Sequence, residues 1–116
     1  MIGIDIESIG RVEHLLNNKP DIIKRFFSSY EWKYVENKAN KHQTLTGIWC
    51  AKEAVVKALS EIHPILITDV KIKHHPNGNP YVFSIKNKSI FSSYKIDISI
   101  SHTKDYATAV AIIHPL

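Results

Sequence analysis

The sequence predicts an α+β domain, in which helices pack on one side of a mostly antiparallel sheet. Three observations predict this class. A short apolar run opens the chain, apolar residues then recur at helical spacing as far as Ser60, and two-residue alternation follows Pro64. The length of 116 residues suits one domain that spans residues 1–116.

The first element is a strand over residues 2–6, where an apolar run carries Asp5. From Ile9 the apolar residues take the spacing of one helical face, and Pro20 interrupts this pattern. The sequence therefore predicts a strand that leads directly into a helix.

Two further helices are predicted before the chain changes character. Ser28 and Glu31 have the spacing of a capping box, which predicts a helix that continues to about Lys38. After a polar loop, the clearest helix extends from about Gln43 to Ser60, because this stretch is rich in Ala and Leu and has no internal proline.

The second half of the chain predicts strands. Alternation over residues 69–73 and 81–85 surrounds the dipeptide Asn77-Gly78, which is the signature of a β-hairpin. Residues 95–101 and 106–113 predict two more strands, with a tight polar turn between them.

Composition limits the classes of function. Fifteen Lys and Arg against eleven Asp and Glu give a net charge of +4, which suits nucleic acid, phosphorylated small molecules or an acidic protein as partners. Cys50 is the single cysteine, so no disulfide can form within the chain. No apolar run approaches ~18 residues and no signal-peptide pattern opens the chain, so we expect a cytoplasmic protein that does not contact membranes.

Asp5 and Glu53 are the candidate metal ligands. A carboxylate inside an apolar strand is costly to bury unless it is paired or bound to a metal. Two carboxylates that folding brings together would form an oxygen site suited to Mg²⁺ and to phosphate chemistry. The alternative for Asp5 is a structural role, as the cap of the helix that follows the first strand.

Lys57 follows Glu53 by four residues, so both side chains lie on the same face of the predicted helix. The plain alternative is an ordinary surface ion pair worth only ~0.3–0.5 kcal/mol. Lys52, next to Glu53, is expected to be solvated, and so are Glu7 and Glu13 on the first helix.

Ser101-His102-Thr103 offers hydroxyls, turn amides and an imidazole, which together can surround phosphate oxygens. The alternative is an exposed hairpin loop without a function. His74 and His75 are adjacent in a strand, so they point to opposite faces and are expected to be exposed rather than to chelate one ion.

Several motifs taken together resemble the holo-[acyl-carrier-protein] synthases of the 4′-phosphopantetheinyl transferase superfamily. They run in family order over nearly the full chain: Gly3-Ile4-Asp5-Ile6, Ile9-Gly10-Arg11-Val12-Glu13, Ala51-Lys52-Glu53-Ala54-Val55-Val56-Lys57-Ala58, Asp69-Val70-Lys71-Ile72, Asn77-Gly78-Asn79-Pro80-Tyr81 and Ile98-Ser99-Ile100-Ser101-His102-Thr103. The resemblance also implies the α+β fold of that superfamily.

The resemblance implies transfer of phosphopantetheine from coenzyme A to a serine of apo-acyl carrier protein, with release of adenosine 3′,5′-bisphosphate. Asp5 and Glu53 match the carboxylates that hold Mg²⁺ against the coenzyme A pyrophosphate. Lys57 matches a lysine that approaches the same phosphates.

The resemblance also implies binding roles and an assembly. His102 and Thr103 match residues that line the coenzyme A site, and Arg11 matches an arginine on the helix that meets the carrier protein. Members of this short class are similar in being homotrimers with active sites between subunits, so we expect the same here.

The chain departs from the family pattern at three places. Ile48 stands where a basic residue is usual, Ser60-Glu61-Ile62-His63-Pro64 replaces a glycine-containing loop, and Asn79 replaces the lysine of Gly-Lys-Pro. Two alternatives therefore stay open: a catalytically weakened homologue that acts as a binding subunit, and a small basic nucleic-acid-binding domain. The transferase hypothesis predicts no nucleic-acid partner.

Overall fold

The computed structural model describes all residues, 1–116. Five helices, five strands and one 3₁₀ turn make up the chain. They are β1 (Ile2–Ser8), α1 (Ile9–Asn18), α2 (Pro20–Lys24), α3 (Ser29–Glu36), α4 (Lys41–Leu59), the 3₁₀ turn (Ile67–Asp69), β2 (Val70–His74), β3 (Pro80–Ile85), α5 (Lys88–Ser93), β4 (Tyr94–His102) and β5 (Tyr106–Pro115).

The strands form two antiparallel sheets. The larger sheet has the order β1-β5-β4, and β2 pairs with β3 in a separate hairpin. Strand β5 is therefore central and pairs with the first strand of the chain, so the sheet brings the two ends of the sequence together. The predicted α+β class with antiparallel strands is confirmed, and the hairpin lies around Asn77-Gly78 as expected.

Two short helices were not predicted from the sequence, α2 after Pro20 and α5. Helix α5 is only six residues long, and Asn87 caps it by accepting hydrogen bonds from the N–H groups of Ser89 and Ile90. Ile90 is buried and fixes this short helix to the core. A capping residue before only two adjacent apolar residues, Ile90 and Phe91, is too brief a pattern to distinguish from a loop.

Local capping decides where two other helices begin. Ser8 caps α1 by accepting a hydrogen bond from Arg11 N at 3.2 Å. Asp5 lies within β1, opposite Ala109, so it does not cap the helix and the structural alternative for this residue is excluded. The capping box of Ser28 and Glu31 is formed as predicted.

Helix α4 packs directly on the backbone of β1. A Cβ atom placed on Gly3 would lie 2.0 Å from the carbonyl oxygen of Ala54 and 2.7 Å from the amide nitrogen of Ala58. The central strand presents Ala107, Ala109 and Ala111 to the core, and each is at most 2% exposed. These small side chains let α4 lie close to the sheet, and Asp5 is two residues from the contact at Gly3.

The other face of the larger sheet is open. Ile2, Ile4 and Ile6 point away from α4 and are 70%, 65% and 64% exposed. Ile112 and Val110 pair with Ile2 and Ile4 and continue the same face on β5. An apolar stripe of this kind on a sheet face is typical of a contact surface.

Three predictions about single side chains are wrong. Lys52 is not solvated: it is 1% exposed and pairs with Glu31. Glu7 is not on a helix but near the end of β1, with a side chain that is 20% exposed. His74 is half-buried and stacks on Tyr34 with ring centroids 3.7 Å apart, whereas His75 is exposed as expected.

No helix is both long and apolar enough to cross a bilayer.

Candidate active site

Strand β1 and helix α4 bring Asp5 and Lys57 into contact. The ammonium nitrogen of Lys57 donates to Asp5 Oδ1 at 3.1 Å and to the carbonyl oxygen of Ile4 at 3.0 Å. The Lys57 side chain is 53% exposed and that of Asp5 only 13%. Lys57 makes no ion pair with Glu53, so the simple surface pair predicted by four-residue spacing is not formed, and the lysine contacts a residue 52 positions away instead.

Glu53 lies in the electrostatic field of Asp5. The pKa of Glu53 is raised, first because burial disfavours its charged form and second because the Asp5 carboxylate repels it. Lys57 opposes this effect, and Glu7 adds to it. Asp5 Oδ2 is buried and has no hydrogen-bond partner. The folded chain therefore holds two carboxylates that repel each other, with one oxygen left without a partner.

These residues suit a hard divalent cation. The donor set consists of carboxylate oxygens, the ligands that Mg²⁺ prefers, and a cation between them would relieve their repulsion. No group of three or more His, Cys, Asp or Glu side chains is arranged to hold a metal ion. This agrees with the usual binding of Mg²⁺ by one or two carboxylates together with waters and substrate phosphates.

Two neighbours of the carboxylates were not singled out from the sequence. The thiol of Cys50 donates to the carbonyl oxygen of Ala107 at 3.4 Å, and burial together with the Asp5 charge raises the pKa of this thiol to about 12. Glu7 follows Asp5 by two residues on β1 and so lies on the same face of the sheet. The two-residue period of the strand was the signal that could have placed Glu7 here.

His102 and Thr103 lie where β4 ends. His102 is the last residue of β4, and the turn that follows is closed by Thr103 N donating to the carbonyl oxygen of Tyr106 at 2.8 Å. The Thr103 hydroxyl oxygen accepts from Tyr106 N at 3.1 Å. Ser101 pairs with Thr108 on the outer face of the sheet, so its hydroxyl does not join His102 on one surface.

A cavity of about 260 Å³ borders His102. No Lys or Arg lines it, and both Ile48 and Asn79 belong to its wall. The departures from the family pattern at these two positions therefore fall on the same cavity. Its lining residues are Tyr34, Gln43, Thr44, Gly47, Ile48, His74, Gly78, Asn79, Pro80, Ile100 and His102.

The carboxylates and the His102 cavity lie on different parts of α4. The cavity contacts the helix between Gln43 and Ile48, and Glu53 lies five residues beyond Ile48, about 8 Å along the axis. Within one chain the structure thus brings Asp5, Glu53 and Lys57 together, and neither His102 nor Thr103 forms a hydrogen bond or ion pair with them.

Arg11 lies on the exposed side of α1. Its guanidinium donates to Glu7 Oε1 at 2.7 Å, and its side chain is 65% exposed. It borders a second, more apolar cavity of about 260 Å³ between α1, α2 and α4. The other residues of this cavity are Glu7, Val12, Leu15, Lys19, Ile22, Ile23, Phe26 and Trp49.

A family model described as the 4′-phosphopantetheinyl transferase superfamily matches residues 1–111. The chain belongs to this superfamily. It is accordingly an enzyme of the phosphopantetheinyl transferase class.

Curated relatives of this superfamily align over nearly the full chain. A holo-[acyl-carrier-protein] synthase of Clostridium tetani is 35% identical, and the alignment covers 97% of this chain and 93% of that protein. A synthase of the same name from Clostridium botulinum is 37% identical and covers 97% and 94%.

Solved structures agree with the fold. The Helicobacter pylori holo-[acyl-carrier-protein] synthase in complex with coenzyme A has a TM-score of 0.82 and 32% identity, over 98% of this chain and 100% of that chain. A second coenzyme A complex, from Chronobacterium ammoniagenes, is 23% identical with a TM-score of 0.84 and supports the fold alone.

Proposed function

We propose that this chain transfers 4′-phosphopantetheine from coenzyme A to a serine hydroxyl of apo-acyl carrier protein and releases adenosine 3′,5′-bisphosphate. The observation that carries the proposal is the meeting of Asp5, Glu53 and Lys57 at the contact between β1 and α4. The curated relatives named for this activity and the coenzyme A complex of a relative support it.

Asp5 and Glu53 are proposed to hold Mg²⁺. When bound, Mg²⁺ supplies positive charge to the pyrophosphate and orients its oxygens. In the reaction the serine oxygen bonds to the phosphorus that carries pantetheine and gives up its proton to solvent. The bond from that phosphorus to the bridging oxygen breaks, and adenosine 3′,5′-bisphosphate leaves with that oxygen. The two carboxylates fix the direction of the pyrophosphate relative to the incoming hydroxyl.

Lys57 is proposed to stabilise the leaving phosphate. Its side chain is half-exposed, so its ammonium can leave Asp5 and reach a phosphate oxygen held near Glu53, which lies one turn earlier on α4. A compact ammonium near developing negative charge lowers the barrier, because the charge is greater in the transition state than in the bound substrate.

His102 and Thr103 are proposed to bind the nucleotide end of coenzyme A on a neighbouring subunit. They form no hydrogen bond or ion pair with Asp5, Glu53 or Lys57 within one chain, which leaves room for a site completed by a second copy. The exposed face of Ile2, Ile4 and Ile6 offers a surface for that copy. We infer a homotrimer with active sites between subunits, as in the family that the sequence resembles.

Arg11 is proposed to contact the carrier protein. It is exposed beside an apolar cavity, and the net charge of +4 favours an acidic partner. Attraction of this kind weakens as salt increases.

Mass spectrometry tests the reaction directly. Apo-carrier protein incubated with coenzyme A, Mg²⁺ and this protein should gain one phosphopantetheine on a serine, and EDTA should abolish the gain. Asp5→Ala and Glu53→Ala should each lower the rate about 1,000-fold, because each removes a cation ligand. Glu61→Ala, which removes an exposed carboxylate just after α4, is the control and should keep the wild-type rate.

Near-normal rates in both Asp5→Ala and Glu53→Ala would refute the metal assignment. For Lys57→Ala we expect a milder loss, and an unchanged rate would remove Lys57 from the proposed site. A wild-type protein that binds carrier protein but forms no adduct would favour the catalytically weakened homologue.

Two measurements test the shared site. Ile4→Lys should convert the trimer to monomers in light scattering, whereas Leu66→Lys, at an exposed apolar residue outside the sheet, should not. We expect His102→Ala to lower the rate as well, and mixing Asp5→Ala subunits with His102→Ala subunits should restore part of the activity, because some mixed interfaces keep both intact halves. No recovery despite demonstrated subunit exchange would contradict a site between subunits.

A further inference from the structure

Lys52 and Glu31 form a buried ion pair that the proposed chemistry does not use. Their side chains are 1% and 0% exposed, and Lys52 Nζ lies 2.7 Å from Glu31 Oε1. Burying two charges is costly, and apolar residues of similar volume often stabilise a fold as well or better. The pair therefore calls for a reason other than stability.

The pair joins four separate segments. Lys52 Nζ also donates to the carbonyl oxygen of Phe26 at 2.6 Å. Glu31 Oε1 accepts from Ser28 N at 2.8 Å, and Glu31 Oε2 accepts from Ile72 N at 2.7 Å. Helix α4, the loop before α3, α3 itself and strand β2 thus meet at one carboxylate and one ammonium.

The contact with β2 lies at an irregularity of the hairpin. The pairing register of β2 and β3 shifts between Lys71 and Ile72, which is where Ile72 N donates to Glu31. A bulge of this kind redirects backbone groups away from the regular ladder. The hairpin is therefore shaped to meet the Glu31 carboxylate.

The opposite side of α4 has no buried charged contact of this kind, because the Lys57 side chain, which donates to Asp5 and to the carbonyl oxygen of Ile4, is 53% exposed. That side of the helix lies on Gly3 and on the alanines of β5, and an interface of small apolar side chains does not interlock against rotation. Hydrogen bonds to charged groups, in contrast, fix distance and angle. Lys52 is thus the fully buried charged contact of α4, and it is placed to resist rotation of the helix about its axis.

Glu53 follows Lys52 directly, about 100° further around the helix. A rotation of about 10° moves a carboxylate that lies ~6 Å from the helix axis by about 1 Å, and a misplacement of 1 Å can cost about 100-fold in rate. The side chain of Lys52 itself is enclosed by the core and does not reach the candidate site.

We propose that the Lys52–Glu31 pair is a positioning device that sets the rotation of α4, and thereby the placement of Glu53 and Lys57 opposite Asp5. This inference rests on the proposed function. Lys52 acts through its neighbour Glu53 and touches neither the cation nor the substrate.

The test measures Mn²⁺ affinity by electron paramagnetic resonance, together with the carrier-protein rate. Lys52→Met keeps the length of the side chain and removes its charge. We expect at least tenfold weaker Mn²⁺ binding in the presence of coenzyme A, and about a 100-fold lower kcat with the carrier-protein KM changed by less than threefold.

Leu59→Ala is the matched control. Leu59 is fully buried on the same side of α4, two turns further on, and its truncation lowers stability without touching the pair. We expect its unfolding temperature to fall while its Mn²⁺ affinity and kcat stay within threefold of wild type. If Lys52→Met and Leu59→Ala with similar unfolding temperatures lose affinity and kcat equally, the pair is only structural and the inference is wrong.

Glu31→Gln keeps the test decisive if Lys52→Met does not fold. This variant retains one acceptor oxygen and removes the charge. We therefore expect Mn²⁺ binding to be about three- to tenfold weaker than in wild type. Mn²⁺ affinity within twofold of wild type in Glu31→Gln would overturn the inference. If the wild-type protein itself neither binds Mn²⁺ nor transfers phosphopantetheine, the proposed function fails instead, and the two failures are thus distinguishable.

Discussion

Gly3→Ala tests whether the contact between β1 and α4 builds the site. The added Cβ would lie 2.0 Å from Ala54 O, and ordinary contact begins at 3.4 Å, so the two elements must separate by about 1.4 Å along that direction. The opposing atoms belong to the backbone of α4, so no side-chain rotation can relieve the clash.

The expected cost follows from this displacement. Overpacking a core costs about 1–3 kcal/mol, and a clash with backbone on both sides belongs at the upper end, ~3 kcal/mol. For a chain of this size such a loss lowers the unfolding temperature by about 10 °C. A separation of that size also opens the 3.1 Å contact of Lys57 with Asp5, so we expect the transfer rate to fall about 100-fold.

The assay is thermal unfolding followed by circular dichroism, with the adduct rate measured at a temperature where both proteins are folded. Gly10→Ala is the control, because a Cβ there meets nothing closer than 3.8 Å on an exposed turn of α1. It should be neutral or raise stability by up to ~1 kcal/mol. The reasoning fails if Gly3→Ala is as stable and as active as Gly10→Ala.

Four further predictions concern charge and protonation. Lys57→Met should bind Mn²⁺ up to about fivefold more tightly without coenzyme A, because a half-exposed ion pair with Asp5 worth at most ~1 kcal/mol no longer competes; unchanged or weaker titration by electron paramagnetic resonance would contradict this. Asn79→Lys should lower the KM for coenzyme A about two- to fivefold, because it adds a cation to a cavity wall that has none. An unchanged KM would show that coenzyme A does not bind in this cavity. The folded pKa of Cys50 is raised from 9.0 to about 12, so between these values the native protein binds more protons than the unfolded chain. Stability should therefore fall as pH rises from 9 towards 12, and less steeply in Cys50→Ala. Parallel curves of urea midpoint against pH for the two proteins would refute this prediction. Burial lowers the folded pKa of His74 from 6.5 to about 4. The contribution of this ring to stability is therefore present above pH 6.5 and is lost as pH falls towards 4. Its ring resonances in NMR should titrate near pH 4, and a midpoint near 6.5 would show an exposed ring.

Much of the fold could be predicted because local patterns carry it. The capping box at Ser28 and Glu31, the Ala-rich helix α4 and the Asn77-Gly78 turn each lie within a short window of sequence. Boundaries were less accurate, since α4 begins at Lys41, two residues before the predicted Gln43.

The candidate site could be predicted only in part. Asp5, Glu53 and Lys57 were identified from motifs, yet the spacing of Glu53 and Lys57 suggested a pair within the helix, whereas the lysine contacts Asp5. The neighbouring Glu7 was assigned to a helix, because the end of β1 and the start of α1 are continuous in sequence.

By itself, the sequence determined the order and type of most elements, since hydrophobic period and capping depend on residues close along the chain. Only the tertiary structure decided which charges meet: Lys52 with Glu31 inside the core, and Lys57 with Asp5 at its edge. Contacts between residues twenty or more positions apart depend on how helices and strands pack. The sequence around a lysine does not show whether packing will remove the water from its ammonium group, as it does for Lys52.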